Sequence, residues 1–271
     1  MNSYADKKEI LRSNMQRYAS EDLVVAFSGG VDSSLLLKLA CDAAKEHAKK
    51  VYGIFIWTML QPVKEVEEAQ KVAQELGAVF RILKINELKG AGIENNPVDR
   101  CYRCKRHLFQ EIQKEAGGLG ISRILEGTNE EDLQVYRPGI QAVRELGIIS
   151  PLADAGFTKG EVRKFAGEYG ISVSDKPSTP CLATRFPYGT RLSYEEMRKV
   201  EAGEVFLRNL GFYNVRLRVH GEFLRIEVDK QDLQMLVEQR ERVIEYLKSL
   251  GYTYLTLDLE GFRSGSMDVG R

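Results

Sequence analysis

The chain has 271 residues, of which 43% are hydrophobic and 29% charged, and its 39 Lys and Arg residues balance 39 Asp and Glu residues. This length suggests one large domain or two modest ones, each able to bury a core. A formal net charge of zero argues against a protein that wraps nucleic acid, which usually carries a basic excess. No apolar run could span a bilayer, and the charged N-terminal segment lacks the apolar core of a signal peptide. We therefore expect a cytoplasmic protein without a membrane partner.

The first part of the chain alternates short apolar runs with helical patterns. The runs predict strands over residues 23–27, 51–56, 79–85, 123–129 and 147–153. Segments with helical periodicity lie between them. Continuous apolar strands separated by helices are typical of a parallel sheet that is covered on both faces, so the sequence predicts an α/β fold.

The pattern changes towards the C-terminus. Residues 176–192 are rich in Pro, Ser, Thr and Gly, contain Cys181, and are predicted to form a linker. A capped helix then begins at Ser193, and a hairpin, an amphipathic helix and a last strand follow. We expect an ATP-binding domain over residues 1–175 and a smaller α+β domain over residues 193–271, which serves substrate binding or oligomerisation.

A glycine-rich loop follows the first predicted strand directly and opens the first helix. It consists of Ser28, Gly29, Gly30, Val31, Asp32 and Ser33. Two glycines let the backbone approach a ligand closely, and the N–H groups of the helix N-terminus then face an anion. The serines can add hydroxyl donors, while Asp32 is expected to hold Mg²⁺, because it would repel a phosphate directly. The alternative is a plain strand-to-helix turn with ordinary capping residues.

This loop resembles the PP-loop of the ATP pyrophosphatase superfamily, and its spacing differs from that of the Walker A motif. The resemblance implies a doubly wound parallel sheet of the adenine nucleotide alpha hydrolase type. It also implies that ATP is split between its α- and β-phosphates. Such enzymes adenylate an oxygen of their substrate, often a carboxyl oxygen, and AMP leaves when a nucleophile attacks.

A second polar segment starts at the C-terminal end of the fourth predicted strand, where the ligands of open α/β sheets bind. Thr128 and Asn129 are expected to contact ATP. Asp132 offers a carboxylate and Arg137 a bidentate donor for a phosphate or carboxylate, so both are expected to bind substrate. The alternative is a solvated acidic loop.

The four cysteines point to metal binding or catalysis, because a cytosolic chain of this size is not stapled by disulfides. Cys41 falls in a helical apolar pattern and is expected to be a small core residue. Cys101 and Cys104 form C-x-x-C, which fits a dithiol redox pair, half of a zinc site or two ligands of an iron–sulfur cluster. Cys181 is the natural third thiolate, and His107 is a further candidate ligand. Three unrelated thiols are the alternative.

Five strings together resemble the LarE family of ATP-dependent sulfur transferases. They are SGGVDS, CYRCK, EGTNEEDLQVYRPG, KPSTPCLATRFPYGT and GFRSGSMD. The string around Cys181 is the most specific, because many relatives share the PP-loop. The family acts on pyridinium-3,5-biscarboxylic acid mononucleotide in the biosynthesis of the nickel-pincer nucleotide cofactor. The resemblance covers nearly the whole chain.

The resemblance implies that ATP and Mg²⁺ adenylate a substrate carboxylate and that a sulfur nucleophile then displaces AMP. Some members sacrifice the sulfur of the cysteine that matches Cys181 and leave dehydroalanine. Others hold a 4Fe–4S cluster on three cysteines and use supplied sulfide repeatedly. Cys101 and Cys104 place this chain with the second group, and Cys181 and Asp32 are its catalytic candidates. A homo-oligomer, such as a hexamer, is also implied.

Three further arginines are candidates for the substrate site. Arg216 and Arg218 alternate with apolar residues on a predicted strand, so both guanidinium groups lie on one face and could clamp the substrate's phosphate. Arg185, four residues past Cys181, could meet the substrate carboxylate or the phosphate of AMP. Solvated arginines on an outer face are the alternative for the strand pair.

Three other functions stay open. A PP-loop tRNA thiolase could also use three cysteines for a cluster, although zero net charge and the lack of an added RNA-binding motif argue against it. An amidotransferase-type synthetase would have no use for the cysteines, and a nucleotide-sensing module would bind ATP without releasing pyrophosphate. We therefore expect a sulfur transferase whose partners are a small nucleotide substrate and sulfide or another sulfur donor.

Overall fold

The computed structural model describes residues 2–58, 63–134, 138–172, 181–263 and 266–267. The chain divides into two compact units. The first comprises Met1–Gly92 and Asp99–Ser178, and the second comprises Ile93–Val98 and Thr179–Arg271. Among the described residues, no helix is long and apolar enough to cross a membrane.

The first unit alternates strands and helices. Its elements are α1 (Tyr4–Tyr18), β1 (Leu23–Ala26), α2 (Val31–Glu46), β2 (Val51–Thr58), α3 (Val63–Glu75), β3 (Val79–Ile85), α4 (Glu87–Gly90), α5 (Arg100–Gly118), β4 (Ile124–Leu125), α6 (Glu130–Gln134), α7 (Pro138–Glu145), α8 (Pro151–Asp154) and α9 (Lys159–Glu168). The N-cap Ser3 and Asp6 form a capping box that fixes the start of α1.

The sheet of the first unit is parallel, with the strand order β3-β2-β1-β4. The register pairs Leu23 of β1 with Val51 of β2. The predicted fifth strand is reduced to one parallel bridge between Leu125 and Ile149, because Pro151 lacks an N–H donor and starts α8 instead. Parallel strands joined by crossover helices confirm the predicted α/β fold.

Helices cover both faces of this sheet. Val24 and Val25 of β1 belong to different cores, because successive strand residues point to opposite faces. Residues of α1, α2 and α9, such as Leu36 and Phe165, fill the core on one face. Phe109 of α5 packs in the core on the other face, together with residues of α7. The doubly wound arrangement is therefore confirmed.

The second unit is a small α+β structure, as predicted. After residues 93–98, its elements are a 3₁₀ helix (Leu182–Arg185), α10 (Tyr194–Asn209), β5 (Val215–His220), β6 (Phe223–Val228), a 3₁₀ turn (Lys230–Asp232), α11 (Leu233–Glu238), α12 (Arg240–Ser249) and β7 (Tyr254–Leu257). β5 and β6 form an antiparallel hairpin whose turn uses Gly221 at φ +62°, and β7 pairs in parallel with β6. The predicted long helix is divided at Gln239 into α11 and α12.

Residues 93–98, here called the strap, join the second unit although they lie within the sequence of the first. Asn96 is completely buried, and its Nδ2 donates to the carbonyl oxygens of Phe186 at 3.0 Å and Pro187 at 2.8 Å. The N–H of Gly189 donates to the Asn96 carbonyl, also at 3.0 Å. These bonds give residues 186–189 of the predicted linker a fixed course, whereas residues 176–180 of that linker lie outside the described residues.

Candidate active site

The glycine-rich loop connects β1 to α2 in a backbone conformation that requires glycine at position 29. Gly29 has φ +72°, and a Cβ there would lie 3.3 Å from the Cβ of Ala69. Gly30 is the N-cap of α2, a helix of 16 residues. The left-handed backbone and the close approach of α3 both require glycine at position 29. The loop therefore presents the N-terminus of a long helix, which attracts anions.

The two serines hold the loop in shape. The Ser33 hydroxyl donates to the carbonyl oxygen of Gly30 at 3.0 Å and accepts the N–H of Ser28 at 3.2 Å. The Ser28 and Ser33 hydroxyls lie 3.1 Å apart. The backbone of residues 28–33 is thus positioned by its own side chains before any ligand arrives.

Asp32 contacts side chains from two other segments of the first unit. Its Oδ1 accepts from the Asn129 amide at 3.3 Å, and its Oδ2 accepts from the Lys159 ammonium. Asn129 and Asp132 bond each other reciprocally through backbone N–H and side-chain oxygen atoms, at 3.2 Å in both directions. The structure thus brings Asp32, Asn129 and Asp132 together. Sequence reasoning missed Lys159, although the capping-box residue Thr158 just before it marks the start of α9.

Thr128 is oriented by a buried carboxylate that sequence reasoning also missed. The Glu126 side chain accepts from the Thr128 N–H at 3.0 Å, from the Thr128 hydroxyl at 2.9 Å and from the Ser150 hydroxyl. Gly127 lies between them, and a Cβ there would be 3.1 Å from both the Asp32 Cβ and the Ser33 nitrogen. Glycine therefore allows the loop after β4 to approach the PP-loop closely.

A cavity of about 370 Å³ opens beside the loop at the carboxyl ends of β1, β2 and β4. The polar part of its lining includes Ser28, Asp32, Ser33 and Thr128. The rest is mostly apolar and includes Ala26, Phe27, Ile54, Ile56, Thr58, Leu108, Phe109 and Ile112. A lining with both polar groups and an apolar surface suits a nucleotide, which has phosphates and a base.

The C-x-x-C motif lies on the helix that forms one wall of this cavity. Cys101 is exposed in the first turn of α5, and Lys105 of the cavity wall follows four residues later on the same helix face. The Lys105 ammonium lies 4.0 Å from Glu126 and 4.8 Å from the centre of the Phe109 ring. Cys104 is partly exposed. One helix therefore carries both a dithiol and part of the nucleotide cavity.

The remaining cysteine and histidine candidates differ in their surroundings. Cys41 is buried, and this burial raises the pKa of its thiol to about 12, as expected of a core residue. His107 packs against Gly90, where a Cβ would overlap its imidazole ring. Cys181 is exposed, and its carbonyl oxygen accepts from the Thr184 hydroxyl at 2.8 Å. Within the described residues of either unit, no group of three His, Cys, Asp or Glu side chains is positioned to hold a metal ion.

Arg185 was predicted to meet substrate, but its guanidinium is buried in the second unit with 1% exposure. It makes a bidentate pair with Glu204, which is equally buried, through bonds of 2.8 and 3.0 Å. It also donates to the Cys181 carbonyl oxygen at 3.2 Å. Glu204 additionally accepts from the Leu217 N–H. In this arrangement Arg185 ties the segment after Cys181 to α10 and β5.

Arg216 and Arg218 share one face of the hairpin, but their environments differ. Arg218 is buried, donates to Glu227 at 3.0 and 3.1 Å, and donates to the Thr184 carbonyl oxygen at 2.9 Å. Arg216 is half-buried and stacks on the Phe262 ring at 5.1 Å. Burial, and then the nearby charge of other arginines, lower the pKa of Arg216, so an anion beside it would be stabilised. Arg137 lies outside the described residues.

Comparison with known proteins identifies the family. A family model described as NAD synthase matches residues 3–99. The pyridinium-3,5-bisthiocarboxylic acid mononucleotide synthase of Lactiplantibacillus plantarum is 37% identical over 246 residues, which cover 91% of this chain and 88% of that protein. The chain belongs to this synthase family. An uncharacterized protein of Synechocystis sp. is 38% identical over 90% of this chain and 91% of its own length.

Membership of the synthase family confirms the LarE resemblance carried by the sequence motifs. Together with the PP-loop, it identifies the chain as an ATP-dependent enzyme. The match to the tRNA-specific 2-thiouridylase MnmA of Rickettsia typhi is more distant, at 26% identity over 58% of this chain and 53% of that protein. The chain thus belongs to the synthases and is only distantly similar to the tRNA-specific enzyme.

Proposed function

We propose that this enzyme transfers sulfur to the carboxylates of pyridinium-3,5-biscarboxylic acid mononucleotide through acyl-adenylates, in the biosynthesis of the nickel-pincer nucleotide cofactor. The observation that carries this proposal is the construction of α5. Its first two turns bear Cys101 and Cys104, and the same helix lines the nucleotide cavity with Lys105 and Phe109. A sulfur-carrying group and an adenylating site on one helix suit a reaction that needs both. The printed name of the Lactiplantibacillus plantarum relative supports the same product.

The first stage follows from the cavity. A substrate carboxylate oxygen attacks the α-phosphorus of ATP, the bond from that phosphorus to the bridging oxygen of the β-phosphate breaks, and pyrophosphate leaves with the electron pair. The N–H groups at the start of α2 would stabilise the charge on the phosphates. The apolar wall around Ile54, Ile56 and Phe109 would hold the adenine and its ribose.

Magnesium fits beside this loop. The carboxylates of Asp32 and Asp132 and the amide oxygen of Asn129 are the hard oxygen donors that Mg²⁺ prefers, and Asp32 already pairs with a cation, the Lys159 ammonium. Bound there, Mg²⁺ would neutralise charge on the polyphosphate. Asp32 is the residue that we assign to this task.

For the second stage, we propose that Cys101, Cys104 and Cys181 hold a 4Fe–4S cluster. Thiolates are the usual ligands of such clusters, and all three thiols are at least partly exposed. A cluster with three protein ligands would leave one iron open to sulfide, which supplies the nucleophile.

The sulfur route has one alternative. The exposed Cys181 thiolate could itself attack the acyl carbon and displace AMP, which gives a thioester. Loss of the Cα proton would then break the Cβ–S bond, releasing the thiocarboxylate and leaving dehydroalanine. This route consumes one chain per sulfur, whereas the cluster route turns over with supplied sulfide. The presence of C-x-x-C in this chain favours the cluster route.

Arg216 is our candidate for binding the phosphate of the mononucleotide substrate, because part of its side chain is exposed and a nearby anion would stabilise its charged form. Arg218 supports it from the same strand face and is itself held by Glu227. Arg185 is proposed to position the segment that carries Cys181. Asp132 is proposed to bind substrate.

Metal analysis tests the cluster. After purification without oxygen, iron, acid-labile sulfide and zinc are measured per chain, before and after reconstitution. We expect about four irons and four sulfides per chain, and their loss in Cys101→Ser and Cys181→Ser but not in Cys41→Ser. Zinc, or no iron after reconstitution, would contradict the cluster. Loss of one H₂S from the mass of the chain after a single turnover would establish the sacrificial route instead.

tRNA thiolation is the second candidate, because the chain matches a tRNA-specific 2-thiouridylase. It predicts tight binding of tRNA that falls steeply with salt. A zero net charge predicts weak binding. Filter binding at low and physiological salt, followed by analysis of the tRNA for 2-thiouridine, distinguishes the two functions.

A further inference from the structure

The ion pair between Lys159 and Asp32 places a lysine in the site where the proposed reaction needs a metal. Lys159 is the first residue of α9, and its N–H donates to the Glu131 carboxylate at 3.1 Å. The capping box of Thr158 and Glu161 fixes this end of the helix. The backbone of Lys159 is therefore held, while its flexible side chain reaches the PP-loop.

The pair is only partly shielded from water. The side chains of Lys159 and Asp32 keep exposures of 33% and 20%, so neither is locked into a core. The nearby carboxylates already accept hydrogen bonds: Glu126 from Thr128 and Ser150, Asp132 from Asn129, and Glu131 from the Lys159 N–H. If Asp32 turns to Mg²⁺, the ammonium needs another anion, and the polyphosphate of ATP arrives with that metal.

We propose that Lys159 is a catalytic residue that leaves Asp32 when MgATP binds and then contacts the polyphosphate. This inference rests on the proposed adenylation. As the carboxylate oxygen bonds to the α-phosphorus and the bridging P–O bond breaks, the electron pair stays on pyrophosphate. Lys159 donates a hydrogen bond to that charge and keeps its proton. Nothing is oxidised or reduced in the step.

Lys105, the lysine in the lining of the cavity, does not fit this role. Lys105 lies beside Glu126 and over the Phe109 ring, on the α5 side of the cavity. Lys159, unlike Lys105, pairs with Asp32, the residue that would release its ammonium when a metal binds. The structure also offers a matched control: Lys7 pairs with Glu161 of the same helix α9 at 2.8 Å and has no contact with Asp32.

The test compares Lys159→Met and Lys159→Arg with Lys7→Met. Calorimetry measures the binding of Mg-pyrophosphate, MgATP and AMP to each. A charged hydrogen bond contributes about 1.5–3 kcal/mol, so Lys159→Met should weaken Mg-pyrophosphate binding roughly 10- to 100-fold. Its affinity for AMP should stay within about twofold. Lys159→Arg should restore most of the difference, and Lys7→Met should behave like the unchanged protein.

Unchanged binding of Mg-pyrophosphate by Lys159→Met, or an equal loss for AMP, would overturn the proposal. Should Lys159→Met fail to fold, chemical footprinting of the unchanged protein replaces it. Mg-pyrophosphate should then protect Lys159 from reductive methylation and AMP should not, while Lys7 reacts equally in both. Equal reactivity of Lys159 with both ligands would also overturn it. Because these measurements need neither the dicarboxylate substrate nor sulfide, the proposed sulfur transfer can fail while this inference stands.

Discussion

The PP-loop site of the first unit and the arginine cluster of the second unit use charge in opposite ways. At the PP-loop, Asp32 and Lys159 pair across a site that is open to solvent, so a ligand can exchange with either partner. In the second unit, Arg185 pairs with Glu204 and Arg218 pairs with Glu227, and both glutamates are almost fully buried. Removing one partner of such a buried pair strongly destabilises the fold, because the remaining charge is left buried and unpaired. The partly exposed pair of the first region can therefore rearrange around a ligand, whereas the buried pairs of the second region stabilise its structure.

The largest expected effect separates the two stages of the reaction. Cys181→Ser should abolish sulfur transfer, because both proposed sulfur routes need that thiol, while ATP binding at the PP-loop should be unchanged. Thiocarboxylate formation is followed by mass spectrometry, and pyrophosphate release is measured in parallel. Full sulfur transfer by this variant would remove Cys181 from the mechanism. Cys41→Ser, at a buried thiol, serves as the control.

The second prediction breaks the arginine cluster. Glu204→Gln leaves Arg185 without its charged partner, and losing one partner of a buried ion pair typically costs about 3–5 kcal/mol of unfolding free energy. Lys199→Ala removes two ion pairs on the exposed face of the same helix, α10, with Glu195 and Glu196, and should cost far less. Urea unfolding of both variants checks the difference. Equal costs would mean that the cluster does not hold the second unit.

The third prediction perturbs the PP-loop site without altering charge. In Gly127→Ala the new methyl group meets the Asp32 Cβ and the Ser33 nitrogen, so it should push the loop after β4 away and raise the KM for ATP. Such overpacking costs about 1–3 kcal/mol. Gly117→Ala, which meets nothing within 4 Å in α5, should leave the KM unchanged. An unchanged KM in both would show that the close approach at Gly127 does not shape the site.

These variants also mark the limit of what the sequence could predict. Residues 28–33 were predictable because a glycine-rich loop between a strand and a helix depends on local backbone geometry. The burial of Arg185 and Arg218 was not, because their partners Glu204 and Glu227 lie on other elements, 19 and 9 positions away, and only tertiary packing buries these pairs. Lys159 was missed for the same reason: its contact with Asp32 spans 127 positions.

The smallest expected effect concerns pH. Burial, and then the charge of Arg225, lower the pKa of His220 below its ordinary value of 6.5. The unfolded chain therefore binds a proton more readily, so His220 costs no stability above about pH 6.5 and destabilises the fold as the pH falls below it. His220→Gln should lose less stability between pH 7.5 and pH 5.5 than the unchanged protein. Urea unfolding at both pH values measures this, and equal losses would contradict it.

The central claim is that ATP cleavage at the PP-loop activates a carboxylate for sulfur. The most direct measurement incubates the reconstituted enzyme without oxygen with MgATP, sulfide and the dicarboxylate mononucleotide, and follows all products by mass spectrometry. The account predicts one AMP, one pyrophosphate and one thiocarboxylate for each carboxylate converted. ADP and phosphate in place of AMP and pyrophosphate, or AMP formed while the carboxylates stay unchanged, would contradict it.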